Sequence, residues 1–424
     1  MAQITKFYDK NGVSFFKNDI DKFKTSTISV SIHCPLKEET VTLNALLPFV
    51  LKRGSRDLPG GTEVYSYLYD MYGANLMNNI LKKGEDQILS FGLDFVSEKY
   101  ITSGDPITDQ ALYFMKQIVF TPQVANDSFD ESYVNSEKEN LANYIQGLMN
   151  DKKEYAAQRC SEEMFPNDPY GIYGYGKLEQ LENIDGKALY KEYLDVLSNC
   201  KIDIFISGDV SEKKVIDQFS YLADGRTDKN CEYPKTTQYS AKPEVKRVTQ
   251  QMEVEQAKLC MGLFTAPFNT ARDYYTCAVL NTVLGGGPQS KMFNQVREKL
   301  SLCYYVFSKL DRQKSAMFIA AGIKSGDFQK AYDAILMQLD AVKNGEITSE
   351  ELDASKKYYC NAMSTLKDSV FQYEDYYTSC LIAGEIKDVS EVIELVNQTT
   401  VEDIVNFAKS IQLDTVYYLT NSNQ

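Results

Sequence analysis

Histidine is almost absent from the sequence, which has one, His33, among 424 residues. A catalytic zinc ion takes three nitrogen or oxygen ligands from the protein, and a single imidazole cannot supply the usual set. The nine cysteines are scattered and contain no C-x-x-C pair, which argues against a structural Cys₄ zinc site and is typical of a reducing compartment. We therefore expect no metal or other cofactor, a cytoplasmic location, and a structural, hydrogen-bonded role for His33.

Long apolar runs, tryptophan and a basic excess are missing as well. No window approaches about 18 consecutive apolar residues, and no apolar stretch follows a basic start, so neither a membrane span nor a signal peptide is expected. Acidic residues outnumber basic ones by 59 to 45, a net charge of −14. This balance argues against nucleic acid or anionic membrane as the main partner. The 30 Tyr and 21 Phe are interpreted as core and interface material.

The chain is long enough for at least two domains, and its two halves show parallel patterns. A strand-like run at 28–34 (ISVSIHC) has a counterpart at 259–267 (LCMGLFTAP), and each half closes with a helix followed by a strand. A polar segment with two prolines, 224–247, reads as a linker between domains 1–223 and 248–424. Strand blocks followed by helix blocks, twice over, predict two α+β domains with largely antiparallel sheets.

The second half contains the segment LGGGPQSKMFNQVREKLSLCYYVFS (284–308), and the first half contains KRGSRDLPGG and PNDPYGIYGYGKLEQLENI. These pieces, in this order, resemble the insulinase, pitrilysin and mitochondrial-processing-peptidase family over nearly the whole chain. The resemblance implies two homologous domains. Within that family, the chain is similar to bacterial inactive paralogues associated with modification of elongation factor P.

Active members of that family have an H-x-x-E-H motif on a first-domain helix. Two histidines and a glutamate from a later helix bind zinc, and the glutamate within the motif activates water. By the resemblance, Ala45 and Phe49 stand at the histidine positions, Pro48 at the base and Tyr144 at the later ligand. Methyl and phenyl groups cannot bind zinc, and a proline is expected to bend the helix. The resemblance therefore implies a metal-free chain that is not an enzyme on its own.

The same family uses an arginine and a tyrosine of its second domain to contact substrate, and these correspond here to Arg297 and Tyr304. Read as an α-helix, the segment before them forms an apolar stripe with Arg297 at its edge. The stripe consists of Met292, Phe293, Val296 and Leu300. An arginine at such an edge also often only extends its head into water, so packing alone is an alternative role for both residues.

Other candidate motifs carry less weight. Gly285 to Pro288 lacks the Gly-Lys-Ser/Thr of a phosphate loop and is interpreted as a turn before a helix capped by Ser290. Cys303 has no histidine in its own half to activate it as a nucleophile. The charged run SEKEN (136–140) is interpreted as a solvated helix face.

The leading hypothesis is a non-catalytic, peptide-binding subunit of a two-chain zinc peptidase. Its partner would be a chain of the same family with an intact H-x-x-E-H, in a heterodimer that cleaves a peptide or small protein; the isolated chain could form a homo-oligomer. The alternative is a purely structural or assembly protein of the same fold. An independent hydrolase with other chemistry finds no matching set of residues.

Overall fold

The computed structural model describes residues 4–226 and 231–421. The described residues form eleven strands: β1 (Ile4–Lys10), β2 (Val13–Asn18), β3 (Thr25–Pro35), β4 (Asn75–Lys83), β5 (Asp86–Val96), β6 (Lys201–Ser207), β7 (Lys246–Gln251), β8 (Ala257–Phe264), β9 (Cys303–Asp311), β10 (Ala316–Ile323) and β11 (Gln412–Thr420). They also form fourteen α-helices: α1 (Val41–Leu51), α2 (Gly61–Asp70), α3 (Ile107–Phe120), α4 (Glu131–Asn150), α5 (Lys152–Met164), α6 (Leu178–Leu181), α7 (Gly186–Asn199), α8 (Glu212–Phe219), α9 (Ala271–Leu284), α10 (Phe328–Lys343), α11 (Ser349–Thr365), α12 (Val370–Ile382), α13 (Val389–Gln398) and α14 (Val401–Ala408). A π-helix, Met292–Lys299, lies between α9 and β9.

Several helices begin where the sequence supplies a capping box. In each, a threonine side chain accepts a hydrogen bond from the third helical residue, whose own carboxylate accepts from the threonine N–H. The pairs are Thr270 with Asp273 for α9, Thr348 with Glu351 for α11, and Thr400 with Asp403 for α14. None of the helices in the described part of the chain is long and apolar enough to cross a membrane.

The five strands of the second sheet repeat the topology of five of the six strands of the first, and β1 has no counterpart among the described residues. The first has the order β1-β2-β6-β3-β5-β4 and the second β7-β11-β8-β10-β9. Strands β2 and β6 pair in parallel, as do β7 and β11, and the pairs that follow in each sheet are antiparallel. The runs at 28–34 and 259–267 thus fall in equivalent central strands, β3 and β8, which confirms the predicted α+β fold with two similar, largely antiparallel halves.

The chain divides into two compact units that exchange helical segments. Unit 1 comprises the described parts of 1–146 and 172–235 together with 367–379, and unit 2 comprises 147–171, 236–366 and the described part of 380–424. The boundaries 1–223 and 248–424 stay a prediction. Residues 227–230 of the proposed linker lie outside the described residues, and β7 begins at its residue 246.

Helix α5 covers the second sheet through apolar contacts. Cys160 and Ala156 belong to a buried cluster with Cys260 of β8. Gly262 leaves room for Met164, since an added Cβ would lie 2.5 Å from the Met164 sulfur. These contacts between α5 and β8 therefore contain no carboxyl group.

Strand β3 is buried on both faces, which differ in chemistry. Its side chains alternate between the faces. Ile28, Val30 and Ile32 belong to the apolar core that contains side chains of α1 and α3. Ser29 and His33 lie on the other face and are also buried. A strand of this kind needs every polar side chain on that second face to find a partner.

His33 is completely buried and has a carboxylate on each side. Its Nδ1 lies 2.6 Å from Asp86 on β5, and its Nε2 lies 3.4 Å from Asp203 on β6. Tyr233 donates to Asp203 at 2.5 Å, and the Lys201 ammonium lies 3.3 Å from the same carboxylate. Burial alone would lower the pKa of His33, but the two carboxylates raise it to about 9. The imidazole is therefore cationic, and its hydrogen-bonded role is confirmed.

The first prediction concerns stability against pH. Because the folded pKa of His33 exceeds its ordinary value of 6.5, its contribution to the free energy of unfolding is full below pH 6.5 and is lost as pH rises to 9. The loss amounts to roughly 3 kcal/mol. The free energy of unfolding, measured by urea denaturation at pH 6, 7.5 and 9, should fall more steeply with pH in the parent chain than in His33→Gln. Equal slopes in both chains would contradict this role.

Candidate functional site

Helix α1 carries three of the positions at which the zinc motif is degenerate. Ala45 is fully buried, and Phe49 is only 7% exposed. Pro48 stands inside the helix and has no N–H for the carbonyl of Asn44. The helix nevertheless continues to Leu51, so the proline does not end it; the predicted bend stays a prediction. None of the three side chains offers an atom that can bind a metal.

The fourth position, Tyr144 on α4, lies beside Phe49. Its ring centroid is 5.6 Å from that of Phe49, and the side chain remains 56% exposed. Tyr175 stacks on Tyr144 at 5.7 Å with an interplanar angle of 4°, and its hydroxyl donates to Asn79 at 3.3 Å. Burial raises the pKa of Tyr175. An aromatic cluster thus occupies the place where the resemblance expects zinc ligands.

One acidic residue near this cluster departs from the sequence interpretation. Glu137, in the run SEKEN, is 1% exposed, and its carboxylate accepts from Arg53 Nε and, at 2.9 Å, from the Asn140 side chain. Its position matches the buried stripe of α4 that includes Val134 and Leu141. The interpretation of this run as a solvated face is wrong for Glu137, because Arg53 compensates its charge.

Within residues 4–226 and 231–421, no three His, Cys, Asp or Glu side chains come together in a way that could hold a metal ion. Glu137 is bound to Arg53, and His33 is enclosed by Asp86 and Asp203. These three carboxylates and the single imidazole are therefore used in other contacts.

The second prediction concerns zinc. The purified chain should bind no stoichiometric zinc by elemental analysis, and the triple variant Ala45→His, Pro48→Glu, Phe49→His should also fail, because Tyr144 leaves one ligand missing. Ala45 is fully buried in the core, so a histidine there should destabilise the chain by about 1–3 kcal/mol. The quadruple variant that adds Tyr144→Glu supplies the missing ligand, and its zinc content is the matched comparison for the triple variant. One tightly held zinc ion in the parent chain would overturn the assignment.

Arg297 and Tyr304 lie together at the edge strand β9 of the second sheet. Arg297 Nε donates to the Tyr304 carbonyl at 2.9 Å, and its Nη1 lies 3.2 Å from Glu298. The guanidinium also lies over the Phe293 ring, 4.6 Å from its centroid. The Tyr304 side chain is 52% exposed, and among the described residues neither its hydroxyl nor Arg297 Nη2 has a hydrogen-bond partner. Both groups remain available to a ligand.

The π-helix changes one part of the predicted stripe. Met292 and Val296 are fully buried, whereas Leu300 is 51% exposed. The Leu300 N–H bonds to the carbonyl of Gln295, five residues back, so the spacing of 3.6 residues per turn does not apply here. The stripe predicted to include Leu300 is therefore wrong at that residue.

The glycine-rich segment covers the outer edge of β9. The Gly285 carbonyl accepts from the Ser308 N–H at 3.0 Å, and Asn281 reaches the Ser308 carbonyl at 3.4 Å. A side chain at Gly285 would meet Met292 and Ser308, which explains the need for glycine. The segment is thus a turn between helices, and sequence reasoning missed its contact with β9. Asn281 carried no signal that predicted this role.

Cys303 does not have the character of a nucleophile. It is 8% exposed, and burial raises the pKa of its thiol to about 11. A thiol is reactive only as the thiolate. At neutral pH this group is protonated.

The third prediction concerns the turn that delivers Tyr304. Ser301 follows the π-helix with a φ of 51°, in the left-handed region that costs a non-glycine residue about 1 kcal/mol or more. Ser301→Gly should raise the free energy of unfolding by about 0.5 kcal/mol. Ser364→Gly in α11 is the control and should lower it by a similar amount or more, both measured by denaturant titration. A loss of stability in Ser301→Gly would contradict the strain.

Comparison with known proteins agrees with these features. The model of a family described as "Peptidase M16 inactive domain" matches residues 183–359. The chain is 31% identical over 402 residues to "Probable inactive metalloprotease YmfF" of Bacillus subtilis. The matched region covers 94% of this chain and 93% of that protein. It is 22% identical to "Non-peptidase homolog YmxG" of Helicobacter pylori over 74% and 69% of the two chains. A crystal structure of a conserved protein from Enterococcus faecalis has the same fold, with a TM-score of 0.91, 24% identity and 99% coverage of both chains.

Proposed function

The chain belongs to the M16 peptidase family as an inactive, non-catalytic member, and on that basis we propose that it is the substrate-binding subunit of a two-chain zinc peptidase. The observation that carries the proposal is the pairing of Arg297 with Tyr304 on β9, with a guanidinium nitrogen and a hydroxyl left open. The partner chain would hold the intact H-x-x-E-H and the zinc.

The chemistry of the two residues suits a peptide. Arg297 Nη2 offers two N–H donors in a fixed plane, and the Tyr304 hydroxyl can both donate and accept. Peptide carbonyls and carboxylates are acceptors that such donors recognise. Phe293 and the Tyr304 carbonyl hold the guanidinium in place, which lowers the entropy lost when a ligand binds. The substrate would be a peptide or small protein, and the link to elongation factor P modification stays a prediction.

The alternative is a purely structural or assembly protein of the same fold. Two tyrosines on one side of α2, Tyr65 and Tyr69, are 75% and 81% exposed, and aromatic residues are enriched in protein interfaces. A scaffold would use such residues and would need neither Arg297 Nη2 nor the Tyr304 hydroxyl.

The fourth prediction separates these functions. In a complex reconstituted with an H-x-x-E-H partner, Arg297→Ala and Tyr304→Phe should each lower peptide turnover, by roughly 10²–10³-fold if the group binds the developing oxyanion. Turnover in Arg297→Lys should stay as low as in Arg297→Ala, because one ammonium cannot hold the Tyr304 carbonyl and a ligand with the geometry of a guanidinium.

The controls use exposed residues of the same unit. Arg272→Ala and Tyr358→Phe should leave turnover unchanged. Tyr304→Phe should alter stability by no more than about 0.5 kcal/mol, and Arg297→Ala by about 1 kcal/mol for its lost hydrogen bond. If Arg297→Ala and Tyr304→Phe assemble and turn over like the parent complex and the two controls, the substrate role is wrong and the scaffold is favoured.

A further inference from the structure

We propose that residues 367–379, which carry most of α12, form a proton-operated latch on the first sheet. The segment stays packed while the Glu374 carboxyl is neutral and is released when that carboxyl ionises. It belongs to unit 1, whereas the residues on both sides, up to 366 and from 380, belong to unit 2. A short covering segment of this kind can open locally without unfolding the strands beneath it.

The segment crosses one row of neighbouring residues in the first sheet: Phe16 of β2, Phe205 of β6, Ser29 of β3 and Gly92 of β5. Tyr377 contacts the two phenylalanines, with ring centroids 5.7 and 6.2 Å away. Phe371 lies over Gly92, where an added Cβ would come within 2.9 Å of its ring. Glu374 stands between them, against Ser29. These three residues are three apart along α12 and therefore share one face of the helix.

Glu374 is the residue of this contact whose burial depends on its protonation. Its side chain is buried, its Oε2 accepts from the Ser29 hydroxyl, and its Oε1 has no hydrogen-bond partner among the described residues. An ionised carboxylate in this place would be buried without a counter-charge, which is far costlier than burying the neutral acid. Burial raises the pKa of Glu374 to about 8, and the Ser29 hydroxyl lowers it only in part.

The other charged groups at this contact are already paired. Lys83 of β4 lies 2.8 Å from Asp375 of α12, and Lys22 lies 2.5 Å from Asp368. On β2, β6, β3 and β5, the elements under the segment, the row contains phenylalanine, serine and glycine only. The remaining titratable groups of the segment are tyrosines such as Tyr377 and the lysine at 367. None of these groups changes its charge between pH 5 and 8 at its ordinary pKa. His33, on the same face of β3 as Ser29, is kept charged over that range by Asp86 and Asp203, which raise its pKa to about 9. Glu374 therefore sets the response of the docked segment.

The direction of the response follows from linkage. The docked segment holds the proton of Glu374 up to about pH 8, and the released segment holds it only up to its ordinary value of 4.5. Docking is therefore strongest below pH 4.5 and weakens as pH rises to 8, by up to tenfold in the docking equilibrium for each pH unit.

Hydrogen–deuterium exchange of the full chain tests this latch. After correction for intrinsic exchange rates, protection of amides in 370–379 should fall by up to about tenfold per pH unit between pH 5 and 8. In Glu374→Gln, which keeps the shape but not the charge, protection should be independent of pH. Amides of α5 and of β8, which belong to the other unit, serve as internal references and should not follow the same profile.

Asp375→Asn provides the matched variant on the same helix. It removes the ion pair with Lys83 and should lower protection equally at every pH, without changing the slope. Protection of 370–379 that is flat from pH 5 to 8 in the parent chain would overturn the latch, whether or not Glu374→Gln folds. An unchanged slope in Glu374→Gln, or the same slope in β8, would overturn it too.

Discussion

The hydrogen bond between His33 and Asp86 links β3 to β5 where water does not reach, and the buried charges of the first sheet depend on it. Removing the imidazole would leave Asp86 and Asp203 buried with much of their compensation gone, and breaking a buried pair in this way typically costs about 3–5 kcal/mol. Tyr233 and Lys201 complete the cluster from Asp203. The single histidine of the chain is therefore used for folding, which explains why its presence gives no support to a catalytic zinc site.

The apolar face of β3 determines how the positions of the degenerate zinc motif are packed. Ile28, Val30 and Ile32 build the apolar core to which Ala45 belongs, so this position is chosen for volume rather than for metal binding. Towards solvent, Phe49 and Tyr144 are in ring contact, and Tyr175 extends the stack. Aromatic packing thus stands where the resemblance expects zinc ligands, and introducing histidines alone would disturb packing at the buried position.

The sequence allowed the fold to be predicted because the repeated elements follow each other in the same order in both halves. The equivalence of β3 and β8 could be read from strand-like runs and the helices that follow them. The exposure of Leu300 could not, because nothing in the residue pattern distinguishes a π-helix from an α-helix. The burial of Glu137 depends on its contact with Arg53, and Tyr144 and Tyr175 stack on each other. The residues of each pair are far apart in the chain, and local periodicity does not report such contacts.

The two covering helices show that the fold does not require an acid at the position of Glu374. On the second sheet, α5 meets β8 with Cys160 and Met164; on the first, α12 meets β3 with Glu374 and Ser29. An apolar residue in place of Glu374 would bury the same surface without the cost of holding a carboxyl away from water. Since α5 meets β8 without a buried carboxyl, the acid on α12 needs a reason outside packing. A covering segment whose hold on the sheet depends on one proton supplies that reason.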